Sequence, residues 1–195
     1  NTRLVVSALK WLISNYEKMN IRILNISVGM LASARREEQE ELLAAIEAVW
    51  DAGIVVVAAA GNNGPKDKSI TIPGLCRKII TVGSSDDEEG EVKNLGLMRG
   101  YSGRGPTEAC IMKPEVVAPG TAIVSCKRMG NGYEMKSGTS MATPVVAGAV
   151  AVLLSRYSNL KPAEVKLRLY ETSVDTGKSK HAQGWGRLDV MQLIR

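Results

Sequence analysis

The feature that most restricts the fold is the run Ile54-Val55-Val56-Val57-Ala58-Ala59-Ala60, which has no polar side chain on either face. A half-exposed strand alternates apolar with polar residues, so this unbroken run between Gly53 and Gly61 reads as a strand covered on both sides. Double burial belongs to parallel sheets sandwiched between helices. The neighbouring segments supply helices and further strands. Val5, Leu9, Leu12 and Tyr16 recur at helical spacing, and from Glu37 the residues Leu42, Leu43, Ile46, Val49 and Trp50 form a second amphipathic stripe, read as core packing. Strands are predicted over residues 21–28, 54–60, 79–82 and 115–118, with shorter ones over 122–125 and 133–136. The expected fold is α/β, a three-layer single domain over residues 1–195 with a mostly parallel sheet and helices on both faces.

No residue between Lys136 and Arg156 is charged, and by hydropathy alone the stretch could pass for a membrane span. Gly138, Thr139, Ser140, Thr143 and Pro144 crowd its first half, which predicts instead a buried central helix with a polar start and no membrane contact. A further helix opens at Lys161-Pro162-Ala163-Glu164, with proline at its first position although Lys161 is a poor side-chain cap. Gly184-Trp185-Gly186 precedes a last short helical segment.

Composition removes several function classes. The net charge of +5 comes without a dense Lys/Arg block or interleaved aromatics, which argues against nucleic acid as partner. One histidine (His181) and three cysteines (Cys76, Cys110, Cys126), none in a CxxC pair, cannot build the usual zinc site, so no metal is expected. The odd cysteine count argues against a disulfide scaffold and leans towards a reducing compartment; Cys76 and Cys126 read as small packing residues. The acidic run Asp86-Asp87-Glu88-Glu89-Gly90-Glu91 reads as a solvated turn rather than a calcium loop, because its oxygens are consecutive rather than spaced. Neither GxGxxG nor a P-loop is present, which leaves a nucleotide-binding protein without its phosphate cradle.

Two segments carry chemistry. In Ser137-Gly138-Thr139-Ser140-Met141-Ala142-Thr143-Pro144, small residues place a serine hydroxyl at the start of a long helix, where free N–H groups and the dipole favour the oxyanion an attacking serine generates. Simple N-capping by Thr139 and Ser140 is the competing reading. In Ala58-Ala59-Ala60-Gly61-Asn62-Asn63-Gly64-Pro65, a buried strand ends in a turn whose Asn62 can donate its NH2 to an oxyanion beyond the carboxyl end of the sheet. The competing reading is a turn chosen for backbone conformation.

Together these segments resemble the subtilisin-like serine proteases (subtilases, peptidase S8) over nearly the whole chain. Asn25-Ile26-Ser27-Val28-Gly29 is similar to the family's substrate-binding strand, Ala59-Ala60-Gly61-Asn62 to its oxyanion loop, and Gly138 through Pro144 to its nucleophile motif. Tyr101-Ser102-Gly103-Arg104-Gly105-Pro106, the segment 113–120 and the segment 184–190 resemble framework segments of the same family. The resemblance implies a serine endopeptidase acting on peptide or protein substrates without a cofactor. It assigns Ser140 as nucleophile, Asn62 and the Ser140 N–H as oxyanion donors, and Ser27, Val28, Gly29, Ala59, Ala60, Gly61 and Thr139 as substrate-binding residues. Thr71-Ile72-Pro73-Gly74 is expected near the base of the pocket for the residue before the cut.

Family order runs Asp, His, Ser, and both the Asp and the His motif are expected ahead of Asn1. The chain is therefore read as a C-terminal portion of a catalytic domain, excised and without a secretory signal. His181 follows the serine, in the wrong context for a catalytic base, and reads as a surface histidine. Val145 stands where many relatives carry histidine. A non-catalytic binding or structural module retaining part of a protease fold is the alternative function. The look is closest to bacterial intracellular subtilases, implying a cytoplasmic location, with secretion as the alternative. The strand over 21–28 is expected to present an open edge, giving a possible homo-oligomer.

Overall fold

The computed structural model describes residues 2–29, 35–88 and 99–195. In chain order the elements are α1 (Thr2–Asn15), β1 (Ile23–Ile26), α2 (Arg36–Asp51), β2 (Val55–Ala59), β3 (Ile80–Ser84), β4 (Val116–Ala118), β5 (Ile123–Cys126), β6 (Tyr133–Lys136), α3 (Thr139–Arg156), α4 (Pro162–Thr172), α5 (Lys180–Gln183) and α6 (Val190–Leu193). Strands β1 to β4 form one parallel sheet in sequence order, while β5 and β6 pair separately as an antiparallel hairpin. All residues of β2 are buried, as its apolar run requires when helices cover both faces. The fold is a three-layer α/β arrangement with the parallel sheet between helices.

The strand expected over 21–28 is shorter than its apolar run. Ile21 donates its N–H to Tyr16 O (2.8 Å), closing the end of α1, so the ladder starts only at Ile23, and the segment from Ser27 to Gly29 leaves it. The outer edge of β4 is covered: Trp185 N–H donates to Glu115 O, Val117 N–H to Gly186 O and Leu188 N–H to Val117 O. The outer edge of β1 has no partner strand among the described residues.

Helix α3 lies against all four strands, burying Ala142, Val146, Ala149, Val150 and Leu153. Its burial is one-sided, since Val145, Gly148, Ala151 and Val152 are exposed. The missing charge that predicted a central helix therefore marks two apolar flanks, one packed and one open. Helix α4 is started by Glu164, whose carboxylate accepts the Lys161 N–H at 2.7 Å and so supplies the cap that Lys161 cannot.

Two side-chain expectations are corrected. Cys126 is exposed, because its hairpin packs chiefly on itself; only Cys76 is buried. Asp86 and Asp87 do not form a solvated turn: Asp87 is buried and accepts the Ser102 N–H, and Asp86 accepts three hydrogen bonds at the mouth of the sheet. Glu89, Gly90 and Glu91 lie outside the described residues.

A buried ion cluster ties the amino ends of β3 and β4 to α4. Lys113 Nζ lies 2.7 and 2.9 Å from the Glu115 carboxylate oxygens and also donates to Ile79 O and Thr81 Oγ1. Lys166 Nζ reaches Glu115 Oε1 at 2.9 Å and donates to three consecutive carbonyls, those of Arg77, Lys78 and Ile79. Burial pushes the Lys113 ammonium below the usual lysine range, to about 8, against the pull of Glu115. Removing the carboxylate strands two cations, and Glu115→Leu is expected to cost about 3–5 kcal/mol in urea unfolding. Adding Lys113→Met to it should recover much of that loss; no recovery would show that Glu115 matters for packing rather than charge.

Candidate active site

The start of α3 is capped from a distant loop. Its N-cap is Gly138 (φ 146°), which has no side chain to offer the helix. Asn62 supplies what is missing: its Oδ1 accepts the Thr139 N–H at 3.0 Å and the Thr139 hydroxyl at 3.1 Å. Thr139 Oγ1 in turn accepts the Gly61 N–H at 3.1 Å, so one fully buried hydroxyl joins the end of β2 to the start of α3. Because a backbone N–H can only donate, the Asn62 amide must turn its oxygen towards Thr139. Its NH2 then has no hydrogen-bond partner among the described residues, and Asn62 is exposed.

Neither Thr139 nor Ser140 serves as the N-cap. Thr139 is an internal anchor, and Ser140 is half-buried in the first turn of α3, where the helix offers its N–H no partner. Ser140 Oγ donates to Ser27 O at 2.8 Å, which places the hydroxyl beside the segment leaving β1. Val28 and Gly29, next along that segment, are exposed, whereas Ala59, Ala60 and Gly61 are buried behind it.

Thr71 lies between two glycines of this cleft. A Cβ on Gly29 would sit 2.6 Å from Thr71 Oγ1, and one on Gly61 only 2.4 Å from the same atom. Both positions must be glycine while Thr71 occupies the space between them, and Gly61 also needs its φ of 92°. Among the described residues, the threonine hydroxyl makes a long contact of 3.4 Å, to Ala60 O, and no other hydrogen bond.

The anchoring extends one layer further. Gly138 N–H donates to Gly120 O, while Asp86 Oδ1 accepts the Gly120 and Thr121 N–H groups at 2.9 and 3.1 Å. The Tyr101 hydroxyl lies 2.9 Å from Ser84 Oγ and 3.1 Å from Gly120 O. Burial pushes the Tyr101 phenol up, which keeps it a neutral donor. Sequence reading missed Asp86 because a carboxylate that caps backbone N–H groups looks the same in sequence as one in a solvated acidic run. His181 lies apart from this assembly in its bonding: its Nδ1 is 2.9 Å from Asp67 Oδ2, and its side chain is 39% exposed.

A serine hydroxyl, and a side-chain amide whose NH2 has no partner among the described residues, thus share a helix start beyond the carboxyl ends of a parallel sheet. Residues 1–186 match the model of the subtilase family. The chain belongs to the subtilase family. It is 36% identical to the serine protease AprX of Bacillus subtilis (strain 168), covering 93% of this chain and 45% of that protein. It is 33% identical to subtilisin DY of Bacillus licheniformis, covering 95% and 60%. Among solved structures, sphericase superposes with a TM-score of 0.79 at 25% identity, over 97% of this chain and 64% of the other. The prenylagaramide maturation protease PagA gives 0.77 at 25% identity, over 100% and 67%. The chain therefore spans roughly half of these two curated subtilases.

The buried Thr139 hydroxyl can be tested by an isosteric change. Thr139→Val leaves the Gly61 N–H unsatisfied and removes one of the two hydrogen bonds to Asn62 Oδ1, and should lower stability by about 1–3 kcal/mol. Urea unfolding measures this, with Thr139→Ser expected to lose less. No loss in Thr139→Val, or a larger loss in Thr139→Ser, would assign the effect to the methyl group rather than the hydroxyl.

Proposed function

We propose that this chain carries the nucleophile and the oxyanion donors of a subtilisin-like serine endopeptidase. Ser140 attacks the carbonyl carbon of a peptide bond, the Asn62 NH2 and the Ser140 N–H receive the developing oxyanion, the C–N bond breaks as the amine leaves with the proton taken from Ser140, and water then releases the acyl group. The observation that carries this reading is the double anchoring of Asn62 Oδ1 by Thr139, which leaves the NH2 without a partner among the described residues at the helix start that carries Ser140. A preorganised donor of this kind needs no rearrangement as charge develops.

The Ser140 proton needs an acceptor stronger than the Ser27 carbonyl it meets here. The single histidine of the sequence is paired with Asp67, and family order puts the base before the serine. We therefore place the base outside these 195 residues. The open edge of β1 and the charge-free exposed flank of α3 provide apolar and backbone surface where such a part would pack. In the same reading, Thr71 narrows the pocket for the residue before the cut, favouring small side chains there.

In the complete protein, Asn62→Ala should lower kcat by about 10²- to 10³-fold with little change in KM, the range known for the corresponding amide in subtilisin, a member of this family. A change confined to KM would make Asn62 a substrate-binding or turn residue. Ser140→Ala should abolish ordinary turnover, and the 195-residue chain alone should show no Ser140-dependent cleavage. Cleavage by that chain would locate a base within it.

The pocket has its own test. Thr71→Gly should raise kcat/KM for substrates with a large aromatic residue before the cut, relative to those with alanine. An unchanged ratio would remove Thr71 from the pocket.

A further inference from the structure

The β5–β6 hairpin is amphipathic in the wrong sense for a free surface. Its cross-strand pairs Val124–Met135 and Cys126–Tyr133 share one face, and Ile123–Lys136 and Ser125–Glu134 share the other. The apolar face is the exposed one: Val124 is 64% exposed, Tyr133 70% and Met135 52%, with Cys126 exposed beside them. The other face is sheltered only at Ile123 and at Glu134, which pairs with Lys136 at 2.8 Å; Ser125 and Lys136 on it are exposed. Met129, in the connecting turn, is 81% exposed. Next to it, Lys127 and Arg128 make no side-chain hydrogen bond or ion pair that would neutralise them among the described residues.

This surface adjoins the nucleophile. The Ala122 N–H donates to Ser137 Oγ at 2.8 Å and the Gly138 N–H to Gly120 O at 2.9 Å, so the base of the hairpin is bonded to the turn that presents Ser140. Lys136 precedes Ser140 by four residues, at most roughly 14 Å of extended chain. A polypeptide held at Ser140 and continuing along the hairpin meets Met135 and Val124 first, Tyr133 and Cys126 next, and the two cations last. A membrane would need apolar groups concentrated at the tip, whereas here Met129 in the turn stands beside Lys127 and Arg128 and the other apolar groups run along the strands.

We propose that the hairpin's outer face binds a substrate segment beyond the catalytic cleft, one with apolar side chains on alternate residues followed by carboxylates. This rests on the endopeptidase reading for its placement next to the cut. Alternate apolar side chains match the period of a strand lying along the hairpin, and the carboxylates match Lys127 and Arg128.

The test is binding, read by fluorescence anisotropy on the complete protein carrying Ser140→Ala, so that it does not depend on turnover. The probes are a labelled peptide of alternating Leu and Thr ending in Asp-Glu, the same peptide ending in Lys-Lys, a version with Ser for Leu, and phosphatidylserine vesicles. The acidic-ended apolar peptide should bind about tenfold more tightly than either altered peptide. Lys127→Ser/Arg128→Ser should erase its advantage over the Lys-Lys peptide and make binding less salt-sensitive. Val124→Thr/Tyr133→Thr/Met135→Thr, which retains strand-forming residues, should erase its advantage over the Ser peptide. Equal binding of all three peptides, or preferences untouched by both variants, would overturn the proposal. Vesicle binding lost in these variants, without any peptide preference, would overturn it in favour of a lipid surface. Failure of the wild-type protein to cleave short peptides would count against the endopeptidase reading and leave this binding result intact.

Discussion

The candidate active site hangs from the buried hydroxyl of Thr139. That hydroxyl accepts from Gly61, at the end of β2, and donates to Asn62, whose oxygen also takes the first free N–H of α3. Sheet and helix are thereby fixed at the point where a helix dipole, a serine and a side-chain amide must converge. The arrangement answers two needs at once. It satisfies backbone donors that burial would otherwise leave unpaired, and it orients the Asn62 amide with its NH2 outward.

Two anchored layers stand behind that junction. Asp86 and Tyr101 hold the Gly120–Thr121 backbone, which holds Gly138, so the N-cap is braced from β3 as well as β2. At the opposite, amino-terminal pole of the sheet, the Lys113–Glu115–Lys166 cluster joins β3, β4 and α4. These two polar regions border the same apolar core, in which α3 packs across all four strands. Hydrogen-bonded anchoring of this kind is what a site needs if its donors are to be in place before charge develops.

Much of this was legible in the sequence where side-chain pattern maps directly onto geometry. The unbroken apolar run from Ile54 could only be a doubly covered strand, and β2 is buried along its whole length. Gly138-Thr139-Ser140 announced a helix start, and Asn62 a turn beyond a strand. What sequence left unresolved depends on partners far away in the chain. Asp86 reads as part of a solvated acidic run until Gly120 and Thr121 are brought to it. Thr139 could be read in sequence as a substrate-binding residue, but nothing there showed that its hydroxyl lies between Gly61 and Asn62. The alternation of residues 123–126 and 133–136 suggested short strands, but only the pairing register shows that the apolar side faces out.

The central claim is that Ser140 becomes a nucleophile only when a base from outside these residues joins the Asn62-lined helix start. Its most direct test is labelling with a fluorophosphonate, which traps an activated serine as a stable phosphonyl ester, followed by mass spectrometry of the modified peptide. The account predicts one adduct, on Ser140, in the complete protein and none in the isolated 195-residue chain. An adduct on another residue of the active protein, or equal labelling of Ser140 in both forms, would contradict it.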